Sequence, residues 1–250
     1  MKVLVYGACG TMGKVLKEHL ASLSIEFVLV DPYSCEEQVY TSLEEAPKVD
    51  VLIDFSHPSQ TETIINYGLN NALPLVIGTT GHQEVDHQKF EDASRRIPIF
   101  KSANLSFGIH LLHKILKQYT ALLEENYDIE IVETHHRNKV DAPSGTAYLL
   151  AQSIQSGAKT KKELVLNRSD VLSPRKNNQI GMSAIRGGNI IGEHTVSFYG
   201  DSDVIEFSHR AQSKKLFTEG AIKAAAYIIK QSPGLYTMND LIKERSENNE

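Results

Sequence analysis

Residues 129–147 crowd His135, His136, Lys139 and the turn Pro143-Ser144-Gly145-Thr146 into one short run. Imidazole exchanges protons near neutral pH, and a lysine ammonium brings a mobile charge that also serves as an acid. Ser144 suits the cap of a helix opening here, and Gly145 permits close approach to it. Amides at such a helix start hold a carboxylate or phosphate. The chemistry these residues suit is the holding and protonation of a small, negatively charged substrate. Ser-Gly-Thr alone reads as an ordinary capped connection. The histidines and Lys139 beside it turn the reading toward function.

The run begins as a strand, with Ile129, Ile131 and Val132 around Glu130 and Glu133. Adjacent strand residues face opposite ways, so His135 and His136 share a site only if the strand ends or bulges between them. That parity counts against a metal chelated by the pair, despite Glu133 and Asp141 nearby, and no metal is expected. It suits divided labour, with one imidazole near the reacting carbon and the other near a substrate carboxylate. The preceding stretch, 107–125, reads as a helix with an apolar face of Ile109, Leu112, Ile115, Leu116, Tyr119, Leu122 and Leu123. His110 and His113 on it are read as packing or surface residues.

The elements ahead of this run are suited to presenting a reductant. Lys2–Tyr6 is a strand, Gly7-Ala8-Cys9-Gly10-Thr11-Met12-Gly13 a glycine loop, and Val15, Leu16, His19, Leu20 and Leu23 a helical stripe. Strand, glycine turn and helix together are the context in which such glycines approach a dinucleotide pyrophosphate. Asp31, after a strand over 25–30, is placed to bond both adenosine ribose hydroxyls, and would repel a 2′-phosphate. Pro32 follows it and Lys14 is the nearest cation, which leans toward NADH over NADPH. The alternative is that Asp31 merely caps a turn before Pro32.

The pattern then repeats. Strands over 49–55, 73–77 and 97–100 alternate with helices over 58–71 and 84–96. The expected fold class is α/β, a Rossmann-like doubly wound parallel sheet. Ligands in such sheets bind beyond the carboxyl ends of strands. The Gly7–Met12 loop, Gly78-Thr79-Thr80 and Ser102-Ala103-Asn104-Leu105 all fall there and are expected to share one dinucleotide.

Composition removes several other classes. A chain of 250 residues, 41% apolar and 23% charged, has the make-up of an ordinary soluble protein. A net charge of −5 argues against nucleic acid or an anionic membrane as the main partner. Cys9 and Cys35 have no paired spacing of the zinc or redox kind. Met1 runs straight into a strand, no signal peptide is read, and no apolar run approaches the ~20 residues that span a bilayer. A cytoplasmic location is the expectation.

Beyond the central run, residues 157–180 are polar and basic, and read as a solvated face, or alternatively as a mobile loop near the anionic ligand. Segments 183–185, 190–199 and 204–210 read as a strand meander, whose free edges pairing between subunits would satisfy. Residues 215–231 form an alanine-rich helix, and 244–250 are polar and expected to fray.

The run Glu130-x-x-Glu133-x-His135-His136-x-x-Lys139-x-Asp141-x-Pro143-Ser144-Gly145-Thr146-Ala147 resembles the signature of the 4-hydroxy-tetrahydrodipicolinate reductase (dihydrodipicolinate reductase) family. The glycine loop, Gly78-Thr79-Thr80-Gly81, Ser102-Ala103-Asn104-Leu105-Ser106, and Arg186-x-Gly188 with Ile191-Gly192-Glu193-His194 are similar to that family as well. The resemblance spans nearly the whole chain, and its His-His run is the specific part. It implies NAD(P)H-dependent reduction of a cyclic amino diacid to tetrahydrodipicolinate, by a homotetramer. It implies His135 and Lys139 as the catalytic pair. His136, Lys139, Ser144, Gly145 and Thr146 would hold the substrate carboxylate, and the three loops above the cofactor.

The implied domains are 1–106 plus 214–250 for the dinucleotide, and an inserted α+β domain, 107–213, for substrate binding and oligomerisation. Hinges near Ser106 and Lys214 would let the two close and exclude water. Thr11 and Pro32 depart from the basic residues common in NADPH-using members. A semialdehyde dehydrogenase would need a cysteine nucleophile in the second domain, where this chain has none. The rival from another class is an NADH-binding sensor that catalyses nothing.

Overall fold

Val3 and Val5 face one way from the first strand, and Leu4 and Tyr6 the other, and all four are buried. A strand apolar on both faces belongs in the middle of a sheet covered on both sides. The computed structural model describes residues 1–34, 36–166, 168 and 173–247 and divides the chain into two compact units, Met1–Phe107 with Lys214–Glu250, and Gly108–Ser213.

In the first unit, β1 (Lys2–Tyr6), β2 (Glu26–Val30), β3 (Val51–Asp54), β4 (Leu75–Ile77) and β5 (Pro98–Lys101) alternate with α1 (Thr11–Ser22), α2 (Thr61–Asn71) and α3 (Glu84–Ser94). The chain returns to this unit in α6 (Lys215–Ile228), β11 (Gly234–Tyr236) and α7 (Met238–Glu247). The sheet order is β11-β5-β4-β3-β1-β2, and every pairing is parallel. β1 has β2 on one side and β3 on the other, so the order reverses at β1. The Gly7 loop therefore sits at the switch point where such sheets bind ligands.

One core joins Val3, Val5, Leu29, Ile53 and Phe100 to Leu16, Leu20, Ala224, Ala225 and Ile228. The other joins Leu4, Tyr6, Val28, Leu52 and Ile99 to Ile64, Ile65 and Phe90. Three expectations for this unit need correction. Leu23 does not complete the α1 stripe; it lies past the helix end and is 51% exposed. The strand β11 was not anticipated, because three residues beside a glycine carry no period. The tail is helical to Glu247, since Met238, Leu241 and Ile242 are buried in it. Residues 248–250 lie outside the described residues.

The second unit contains α4 (Phe107–Leu123), β6 (Asp128–His135), α5 (Gly145–Gly157), β7 (Glu163–Val165), β8 (Gln179–Arg186), β9 (Glu193–Tyr199) and β10 (Val204–Arg210). Its sheet order is β10-β9-β6-β8-β7. The expected meander is thus half right. β9 and β10 pair antiparallel, but β6 lies between β8 and β9, parallel to the first and antiparallel to the second. The short β8–β9 link crosses the end of β6, where Gly187 N donates to His135 O and Arg137 N to Gly188 O.

Among the described residues the apolar cluster of this sheet lies on one face. Ile129, Ile131, Ile180, Met182, Val196 and Phe198 meet Leu112 and Leu116 of α4 and Leu150 and Ile154 of α5. On α4 the buried stripe runs Ile109, Leu112, Leu116, Thr120. Leu122, 71% exposed, and Tyr119 lie off it, contrary to the apolar face expected.

The basic segment 157–180 is not simply a solvated face. Lys162 pairs with Glu124 at 2.9 Å with side chains only 3% and 2% exposed. Arg175 bonds Asp128 at 2.6 Å and Arg168 bonds Glu130 at 2.8 Å. Carboxylates on neighbouring elements, of which Glu124 is buried, pair with these charges, and composition alone does not register that. Part of the expected mobile loop, residues 167 and 169–172, lies outside the described residues, as does Cys35. Among the described residues no helix is long and apolar enough to cross a membrane.

Candidate active site

The burial of β6 alternates, with Ile129, Ile131, Glu133 and His135 inward. An inward carboxylate and imidazole at the end of an apolar face require partners. Register supplies them, because His135 lies opposite Arg186 on β8 and Glu133 opposite His194 on β9. Arg186 grips Glu133 with both terminal nitrogens, Nη1 to Oε2 at 2.9 Å and Nη2 to Oε1 at 2.7 Å. His135 Nδ1 meets Glu133 Oε2 at 2.5 Å. The Ser144 amide donates to Glu133 Oε1 at 3.0 Å. Glu133 has no exposed surface. Burial pushes its carboxyl up, yet Arg186 and His135 together hold it below the usual carboxylate range. Burial lowers His135, with Glu133 opposing that shift and Lys139 and Arg186 adding to it.

The strand ends at His135, so strict alternation no longer governs His136. His136 is half-buried, and its carbonyl accepts from the Lys139 amide at 3.1 Å. Lys139 Nζ pairs with Asp141 Oδ1 at 2.7 Å and holds that carboxyl below its ordinary value. The Asp141 carbonyl in turn accepts from Arg186 Nη2 at 2.6 Å, which ties the Lys139 turn to the Glu133 cluster.

Helix α5 opens where expected. Ser144 is its cap, its hydroxyl accepting from the Ala147 amide at 3.2 Å. The same hydroxyl contacts His194 Nε2 at 3.1 Å. Ser144 is buried with both its amide and its hydroxyl engaged, so its place is in the scaffold beneath the helix opening. Gly145 and Thr146 form the first turn, and nothing approaches within 4 Å of where a Gly145 Cβ would stand. His194 packs edge-on to His135 with ring centroids 5.2 Å apart. Burial first, then His135, bring its pKa down to about 4, so it is uncharged at neutral pH. Its Nδ1 is buried and has no hydrogen-bond partner among the described residues.

The first unit carries the three loops at the carboxyl ends of β1, β4 and β5. Gly7 has φ +81°, and a Cβ there would stand 2.8 Å from Phe55 O. A Cβ at Gly13 would stand 2.2 Å from Gly7 O, so only glycine lets α1 start against the loop. No side chain caps α1 and no acidic residue lies in its first turn, which leaves Thr11 and Met12 at a positive helix end. These features fit a pyrophosphate laid on the loop.

Gly7 N and Ala8 N donate to Val30 O, and Asp31 Oδ2 accepts from Cys9 N at 2.9 Å. Asp31 Oδ1 accepts from Tyr33 N at 3.1 Å, so the turn-capping alternative is present as well. Gly78 lies against the Phe55 ring, Thr79 is buried and Thr80 exposed. In the third loop, Ser102 Oγ donates to Asn104 O at 2.5 Å and Asn104 Oδ1 accepts from Ser106 N at 2.8 Å. Ala103 is exposed there and Leu105 buried.

Sequence reasoning assigned no role to Glu133, Arg186 or His194. The signal for Glu133 was available, since residues two apart on a strand share a face. Arg186 and His194 depend on a register that the sequence does not display. His110 and His113 stay outside the cluster; His113 Nδ1 contacts Ser153 Oγ at 2.5 Å. Among the described residues no group of three or more His, Cys, Asp or Glu is arranged to hold a metal ion.

A Rossmann-like sheet with glycine loops at its switch point, and a second unit with an imidazole–lysine cluster at a helix opening, define a class: the pyridine-nucleotide-dependent reductases. Within it, the chain belongs to the dihydrodipicolinate reductase family. The family model for the N-terminus of dihydrodipicolinate reductase matches residues 1–105, and that for its C-terminus matches residues 108–242. The 4-hydroxy-tetrahydrodipicolinate reductase of Clostridium novyi is 40% identical, covering 98% of this chain and 99% of the relative. That of Caldanaerobacter subterraneus is 43% identical over the same shares. A solved dipicolinate-bound dihydrodipicolinate reductase from Paenisporosarcina sp. TG-14 shares the fold, with TM-score 0.75 and 22% identity, over 95% of this chain and 97% of that one.

Proposed function

We propose that the chain reduces 4-hydroxy-tetrahydrodipicolinate to tetrahydrodipicolinate in lysine and diaminopimelate biosynthesis. The two names differ by one hydroxyl, so a hydride and a proton enter and the hydroxyl leaves as water. The bound nicotinamide supplies the hydride. His135 and Lys139 supply the proton, both lying in one network tied through Glu133, Arg186 and Asp141. His136, Lys139 and the opening turn of α5 at Gly145 and Thr146 hold the carboxylates, with Ser144 fixing that turn from beneath. The observation that carries the reading is the Glu133 cluster, which fixes a proton-exchanging imidazole beside a helix opening suited to an anion.

In this reading the first unit takes the dinucleotide on Gly7, Ala8, Cys9, Gly10, Thr11, Met12, Gly78, Thr79, Thr80 and Ser102–Leu105. Asp31 faces the ribose and disfavours a 2′-phosphate, so NADH is the preferred cofactor. The open face of the second sheet, with Val132, Ile185, Tyr199 and Val204 exposed, is suited to assembly as a homotetramer. The enzyme works in the cytoplasm. A sensor without turnover would give the His135–Glu133–Arg186 cluster nothing to do.

The test is loss of NADH absorbance on adding substrate made freshly from pyruvate and aspartate semialdehyde by the preceding synthase, with NADPH run in parallel. Steady oxidation supports the reading, and none with either cofactor overturns it. A marked NADPH preference overturns the cofactor assignment alone.

A further inference from the structure

We propose that Glu133 is the positioning residue of the proton-transfer site: it holds the Nδ1 proton of His135 and so leaves Nε2 as the nitrogen that exchanges protons with substrate. The inference rests on the reductase reading above for what His135 acts upon, but its geometry stands apart from that reading.

Glu133 is unusually constrained for a carboxylate. Arg186 occupies both its oxygens through a bidentate pair, and the Ser144 amide takes a further position on Oε1. What remains on Oε2 is directed at His135 Nδ1. A carboxylate held in this way is ionised and can only accept, so the nitrogen it meets carries the proton. In the neutral imidazole the other nitrogen, Nε2, is then the bare one. That nitrogen faces Gly192, where a Cβ would come within 3.0 Å of it. A side chain at 192 would crowd Nε2, and glycine keeps that edge of the ring clear.

Every charged group around the ring bears on its proton affinity. Glu133 on β6 favours the charged imidazole, while Arg186 on β8 and Lys139 in the following turn disfavour it. His194 on β9 packs edge-on at 5.2 Å and is uncharged, so it adds no second cation at neutral pH. Glu133 is therefore the one anion in contact with the ring among the described residues. Replacing its charge by a neutral amide lowers the affinity of His135 for a proton. A reaction that needs protonated His135 fails as pH rises through that affinity, so the alkaline limb of kcat moves to lower pH.

The test has two arms. Nitrogen-15 histidine NMR on the unmodified protein, with the resonance assigned by His135→Gln, reads the neutral tautomer directly. Nδ1–H is expected, and Nε2–H overturns the proposal whether or not the protein turns over. In the second arm Glu133→Gln is compared with wild type for kcat against pH and for NADH affinity. The expected result is a kcat at least about tenfold lower, an alkaline limb displaced to lower pH, and unaltered NADH affinity. A Glu133→Gln enzyme with the wild-type profile overturns the proposal. So does one whose kcat falls equally at every pH, which is what a merely structural role produces. If that variant does not fold, the tautomer decides. Wild-type protein that oxidises neither NADH nor NADPH removes the reductase reading and leaves the tautomer result standing.

Discussion

Asp31 Oδ2 accepts the Cys9 amide at 2.9 Å, so the residue that follows the second strand also fixes the glycine loop after the first. Its charge and its shape-holding role are separable by Asp31→Asn, which keeps an acceptor oxygen and loses the anion. The ratio of kcat/KM for NADPH to that for NADH should rise roughly tenfold, the scale of one close like-charge contact near a surface. Absolute NADH efficiency should fall somewhat, because the amide flips one acceptor into a donor. Steady-state kinetics with both cofactors reads the ratio. An unchanged ratio would remove Asp31 from cofactor choice and leave it as a turn cap.

Lys139 is half-buried and paired with Asp141 at 2.7 Å. Lys139→Met should lower kcat by about 100-fold or more, the loss expected of a missing general acid. NADH affinity should be unaltered. Lys139→Arg restores a cation that binds carboxylate but does not give up its proton. It should recover KM for the substrate without recovering kcat. Near-normal turnover in Lys139→Met would take the proton away from this residue.

These residues differ in how far they were legible beforehand. Gly7, Gly10 and Gly13 between a strand and a helix were readable, because local backbone needs dictate them. The parallel sheet followed from alternating strands and helices, and the Ser144 cap from its own neighbours. His135 and Lys139 were readable as chemistry from residue type and crowding. What failed was non-local. Nothing near Arg186 says that it grips Glu133, and nothing near Lys162 says that Glu124 buries it. The insertion of β6 between β8 and β9 is likewise a pairing choice that strand patterns do not record.

His194 gives the stability a pH dependence of known sign. Its folded pKa, about 4, lies below the ordinary histidine value, because burial and the neighbouring His135 disfavour the charge. The unfolded chain therefore takes up the proton first as pH falls, and stability is lost between about 6.5 and 4. The loss is at most roughly 3.5 kcal/mol. Urea unfolding at stepped pH should show that decline in wild type and a shallower one in His194→Gln. Parallel curves for the two proteins would mean that His194 is solvated in the folded state.

Lys162 and Glu124 form another buried charge pair among the described residues of the second unit, at 2.9 Å. Glu124 also accepts from Thr160 Oγ1 at 2.7 Å and from the Lys159 amide, so its carboxylate is the hub of that corner. Removing one partner leaves an uncompensated buried charge, which costs about 3–5 kcal/mol. Lys162→Met should therefore destabilise by about that amount in urea. Lys162→Met with Glu124→Gln removes both charges, keeps an oxygen for the Lys159 amide, and lets the Thr160 hydroxyl turn to accept from the new NH2, so most of the loss should return. The double variant is the informative one, because a pair that merely breaks even against neutral groups is restored by neutralising both. If Lys162→Met alone stays within about 0.5 kcal/mol of wild type, water reaches the ammonium and the pair is an ordinary surface one.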